Sequence, residues 1–136
     1  MTAASQERAP TGPVMAGPRA ATSLFVWGWY LTLLGAALLL IPNAILTPFG
    51  LPPTEEVWIR VVGMFTVLLA HFSFSSARTR NLDYMRWSVQ ARLAVPFFFI
   101  AFVLAGWVPA ALIAFGLVDV AGASWTWWAL RRDAGL

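Results

Sequence analysis

Apolar residues fill almost the whole chain, in four long stretches: roughly Leu24 to Ile41, Val57 to Ser76, Val89 to Ala105 and Val108 to Leu130. About 20 helical residues cross the ~30 Å hydrocarbon core of a bilayer. Each stretch is long enough, so the pattern predicts four transmembrane helices.

The polar punctuation between them fits that reading. The run Thr47-Pro48-Phe49-Gly50-Leu51-Pro52-Pro53 is a turn-rich loop after the first span. Thr54 is a good N-cap for the second helix, with Glu55 and Glu56 in its first turn, where carboxylates meet the positive end of the helix dipole. Asn81 or Asp83 caps the third helix, and Pro109 lies near the start of the fourth, where a missing N–H does no harm. Short connections make consecutive helices antiparallel neighbours, so the expected fold is an all-α, integral membrane, antiparallel four-helix bundle over residues 23–136. Residues 1–22 are rich in Ala, Pro, Gly, Ser and Thr; they are expected to form a disordered cytoplasmic tail. The first stretch is too long for a signal peptide and has no A-x-A-like site after it, so it reads as a retained span.

Composition narrows the classes. Hydrophobic residues are 60% of the chain and charged residues only 11%, too few to clothe a soluble core. The formal charge of +3 comes from nine arginines and no lysine. These arginines flank the spans and do not form one basic face, so no nucleic-acid partner is expected. Arginine without lysine, beside abundant Ala and Trp, is associated with GC-rich bacterial genomes. The absence of cysteine excludes disulfides, thiolate catalysis and Cys-ligated metal.

Orientation follows from arginine asymmetry. Arg8, Arg19, Arg78, Arg80, Arg86, Arg131 and Arg132 fall on the side shared by both termini, whereas the opposite side holds Glu55 and Glu56. Both termini are expected in the cytoplasm, and the expected location is the bacterial inner membrane. Aromatic belts agree: Trp27, Trp29, Trp87, Trp125, Trp127 and Trp128 at the inner boundary, Trp58 and Trp107 at the outer.

Four ionisable residues enter the spans and form the candidate intramembrane polar site: Arg60, His71, Arg92 and Asp119. Arg60 follows Glu56 at i,i+4, the favourable order for a helix ion pair, and its side chain can snorkel outward. Arg92, four residues before Pro96, can snorkel to the inner boundary. The lone His71 reads either as a packing residue or as a neighbour of Asp119. Asp119 is too short to snorkel from mid-bilayer, so it needs a partner inside the bundle or a proton; Arg92 and His71 are its expected basic neighbours. Its helical face (Phe115, Gly116, Gly122, Ala123, Thr126) is mostly small, as is the stripe Gly28, Thr32, Gly35 of the first span, which suits close helix approach in lipid.

No phosphate loop, HExxH, Gly-x-Ser-x-Gly or metal-spaced cluster occurs, so no cofactor and no metal are expected. The first span has no acidic residue, which sets the chain apart from small multidrug exporters built around a glutamate in that helix. The stretch Phe49-Gly50-Leu51-Pro52-Pro53-Thr54-Glu55-Glu56-Val57-Trp58-Ile59-Arg60-Val61-Val62-Gly63, with Asp119-x-x-Gly122-Ala123-x-Trp125-Thr126, resembles small uncharacterised bacterial four-helix membrane proteins, similar in general shape to DoxX-like proteins. The resemblance covers the four spans and implies no catalytic residue. Three readings remain. The first is a non-enzymatic membrane protein that works through helix–helix association, as a homo-oligomer or with a membrane-protein partner. The second is a membrane subunit supporting quinone, haem or proton chemistry. The third is a small transporter using Asp119.

Overall fold

The computed structural model describes residues 14–135. Among them the chain is helical throughout, with no strand and one isolated bridge between Met15 and Asn81. The order is α1 (Pro18–Leu40), a short α2 (Pro42–Leu46) running into a 3-10 turn (Thr47–Phe49), α3 (Val57–Thr79), α4 (Leu82–Leu104), a second 3-10 turn (Ala110–Leu112) and α5 (Ile113–Asp133). Four of these helices, α5 taken with its preceding turn, are long and apolar enough to cross a membrane. Their outer faces expose Leu33, Phe65, Phe97 and Leu117, which is favourable in lipid and costly in water.

Two boundaries differ from the sequence reading. Helix α1 starts at Pro18, before the expected tail boundary at Thr22, with proline in the first turn. Its opening residues are too small and polar to read as a span, yet they pack: Ala20 and Leu24 are fully buried in a cluster with Met85, Ala129 and Leu130. The remainder of the expected tail, residues 1–13, lies outside the described residues. Helix α3 starts at Val57 with Glu56 as N-cap, so both carboxylates precede the first turn. Thr54 Oγ1 accepts the N–H of Glu56 at 3.1 Å and closes a turn instead of capping the helix. Asn43 Oδ1 accepts the N–H of Thr54 at 2.8 Å and ties that turn to α2.

The α3–α4 connection is short. Arg80 takes a left-handed conformation (φ 51°) that ends α3, and Asn81 then caps α4 by accepting the Tyr84 N–H at 3.0 Å. Despite this proximity in sequence, α3 and α4 do not pack along their length; α1 lies against α3 and α5, and α5 against α4. On α1 and α3, Gly28 meets Phe74, Gly35 meets Gly63 and the Leu39 carbonyl meets Arg60, so numbers rise along one helix as they fall along the other. A methyl group on Gly35 would stand 2.8 Å from the Gly63 carbonyl oxygen. On α4 and α5, Pro96 covers Gly116, and Arg92 reaches Gly122 and Thr126. The small stripes are therefore consumed within the chain.

Candidate functional site

The gap between α3 and α4 holds two cavities with a common floor. One, of about 300 Å³, runs toward α2 between Tyr30, Leu34, Thr66, Phe99 and Phe115. The other, of about 350 Å³, runs toward the α3–α4 turn between Trp27, Ser73, Tyr84, Trp87 and Arg92. Leu31, Leu69 and Asp119 line both. Asp119 thus sits where the cavities meet, half-buried, held there because the face of α5 it shares with Gly116 and Ala123 is buried. Among the described residues none donates a hydrogen bond to its carboxylate, and no arginine nitrogen lies within 4.0 Å of it.

Arg92 is next to this floor but is committed elsewhere. It is only 5% exposed, which overturns the snorkelling reading. Nη2 donates to Thr126 Oγ1 at 2.9 Å, and Nε donates to the Ser88 carbonyl at 3.3 Å. Its guanidinium lies 4.5 Å from the centre of the Trp27 ring. Nη1 is buried with no hydrogen-bond partner among the described residues, close to that ring and to Gly122. The π-face of Trp27 offers this nitrogen partial electrostatic compensation. Thr126 joins the layers: it accepts from Ser23 Oγ at 3.2 Å while donating to the Gly122 carbonyl at 3.0 Å. Arg92, Thr126, Ser23 and Trp27 therefore lock α1, α4 and α5 together, while Asp119 is the carboxylate that both cavities reach.

The other two candidates point away. His71 is exposed on the outer face of α3 beside Phe72 and lines neither cavity, so it is not a neighbour of Asp119. Arg60 donates to the Leu39 carbonyl and is not ion-paired with Glu56; the helix start at Val57 leaves Glu56 outside the α3 turn that an i,i+4 pair needs. Sequence reasoning also missed residues. Trp27, assigned to the boundary belt, is 8% exposed and sits inside, on the face of α1 that carries Ser23 and Leu24. Tyr30 lines the cavity floor one turn beyond it. Asp133, unremarked in the sequence, accepts the Ala20 N–H from across the molecule.

Among the described residues no three His, Asp or Glu side chains gather as a metal site requires. Searches against family models, curated proteins and solved structures give no match to this chain.

Proposed function

We propose that this chain is a multi-pass integral membrane protein whose four spans form an antiparallel bundle. Both termini lie in the cytoplasm, and the protein works without catalysis by receiving an amphiphilic molecule from the lipid phase in the α3–α4 cleft. The observation that carries this reading is Asp119: a carboxyl without a hydrogen-bond or ion-pair partner among the described residues, at the junction of two largely apolar cavities. Arg92 lines one cavity, but its Nη2 and Nε are engaged by Thr126 and Ser88, so Asp119 offers an occupant an acceptor. The fitting occupant is an amphiphile whose polar end donates a hydrogen bond, a hydroxyl or a protonated amine. Association through the small-residue stripes has less support, because those stripes are filled by the chain's own helices.

The topology has its own support. Arg19, Arg78, Arg80, Arg86, Arg131 and Arg132 gather at the end where α1 and α4 begin and α3 and α5 finish. The cysteine-free sequence allows single-cysteine labelling. Thr54→Cys should react with a membrane-impermeant maleimide added outside intact cells, and Gly135→Cys only after lysis.

Occupancy is tested with a diazirine-bearing long-chain alcohol incorporated into nanodiscs that hold the full chain. Label should concentrate on cleft positions such as Leu69 and Val95, and Leu69→Trp, which fills the cleft, should remove it. Label confined to the outer residues Phe65 and Phe97 would refute the reading. A small transporter using Asp119 draws on one further observation, that the cavities extend from Asp119 toward opposite ends. That reading requires liposome uptake that Asp119→Asn abolishes with the fold intact.

A further inference from the structure

A second concave site lies at the arginine-rich end, away from the cleft. Its volume is about 410 Å³, and it opens between the start of α4, the end of α5 and the segment before α1. Arg86 from α4 and Arg131 from α5 line it from two sides, with Trp127, Leu82 and Leu130 below them. Neither arginine has a carboxylate within 4.0 Å or a hydrogen-bonded partner among the described residues. Arg131 is stacked over Trp127 at 5.6 Å, which restricts its motion without neutralising it. The carboxylate in the lining, Asp133, is turned to α1, where Oδ2 accepts the Ala20 N–H at 2.9 Å.

We propose that this pocket binds the phosphate headgroup of an anionic phospholipid from the adjoining leaflet. Two arginines line one concavity, and guanidinium matches phosphate oxygens with paired hydrogen bonds. The floor is apolar and its tryptophan is of the kind that settles at headgroup level, so the headgroup and the first part of the acyl chains find matching surfaces. Basic pockets between spans at the positively charged end suit such lipids. The inference rests on the membrane reading but not on the occupant of the α3–α4 cleft.

The test titrates dioleoylphosphatidylglycerol, and separately dioleoylphosphatidylcholine, onto the full chain in neutral detergent, read by native mass spectrometry. The pocket variant Arg86→Gln/Arg131→Gln is compared with Arg78→Gln/Arg80→Gln, which removes the same charge from the same end outside the pocket. An arginine facing an anionic lipid contributes about fivefold, so the pocket variant should bind phosphatidylglycerol about 25-fold more weakly. The control pair should lose clearly less, since neither Arg78 nor Arg80 lines the pocket. Phosphatidylcholine, whose phosphate charge is offset by choline, should bind the wild type more weakly and lose less in the pocket variant; helical circular dichroism checks that all three proteins are folded. Equal losses in both variants, or no loss in the pocket variant, would overturn the proposal. Displacement of the lipid by millimolar inorganic phosphate would overturn it in favour of a free-anion site. Release of the wild-type chain from membranes by carbonate would instead count against the membrane reading itself.

Discussion

Asp133 Oδ2 accepts the backbone N–H of Ala20 at 2.9 Å, so a side chain at the end of α5 caps the start of α1. Gly17, the residue before α1, has no room for a Cβ because the Asp133 side chain occupies that space. The cap is therefore supplied across the molecule, where Gly17 itself offers no side chain to do it. Asp133→Ala should lower stability by about 1 kcal/mol, the usual worth of an N-cap. Asp133→Asn should lose less, since the amide oxygen still accepts. Unfolding by SDS in mixed micelles, followed by helical circular dichroism, checks the order; equal losses would show that the carboxyl makes no cap.

Arg92 and Thr126 should be energetically coupled. Thr126→Val removes the acceptor of a guanidinium that already has one buried nitrogen unpartnered, and should cost about 2 kcal/mol. Replacing both, as Arg92→Met with Thr126→Val, should cost less than the sum of the single changes by about 1–3 kcal/mol. Strict additivity in the same titration would mean that the hydrogen bond carries no coupling.

The Gly35–Gly63 crossing sets how closely α1 and α3 approach. Either glycine changed to alanine puts a methyl group 2.8 Å from the other's carbonyl oxygen, so the helices must separate. The expected loss is about 1–3 kcal/mol, the range for overpacking a close contact. Ala36→Leu, one position round the helix, is the comparison and should be milder. A neutral Gly63→Ala in the SDS titration would contradict the packing.

Glu56 and Arg60 should act independently, because Arg60 is held by the Leu39 carbonyl. Glu56→Lys and Arg60→Glu should add to within about 0.5 kcal/mol in the double variant. A double reversal better than either single change would restore the ion pair expected at i,i+4.

The four long apolar helices were legible because each fills an apolar run of bilayer length, and Asn81 and the small faces of α1 and α5 read correctly from local chemistry and period. What failed was direction. Helical period put Arg60 and His71 on one face of α3, but period cannot say which face the neighbours take, and His71 faces outward. Arg92 was placed near a boundary by counting residues, whereas a partner hydroxyl 34 positions away and the Trp27 ring draw it inside. The open side between α3 and α4 was not legible, since a connection of Arg80 and Asn81 suggests neighbours that pack; α1 and α5 instead take the contacts. The start of α1 was missed for a related reason, because Ala20 and Ser23 are buried by residues distant in sequence, among them Met85, Ala129 and Thr126.

Asp119 as the polar contact of a lipid-phase occupant is the central claim, and one binding comparison tests it directly. A fluorescent long-chain amine and its uncharged methyl-terminated analogue are titrated onto the full chain in phosphatidylcholine nanodiscs, for the wild type and for Asp119→Leu. A hydrogen bond to a charged group is worth about 1.5–3 kcal/mol, so the wild type should prefer the amine by about 10-fold or more. Asp119→Leu should erase that preference while still binding the analogue. Equal binding of the two probes by the wild type, or a preference that survives Asp119→Leu, would contradict it.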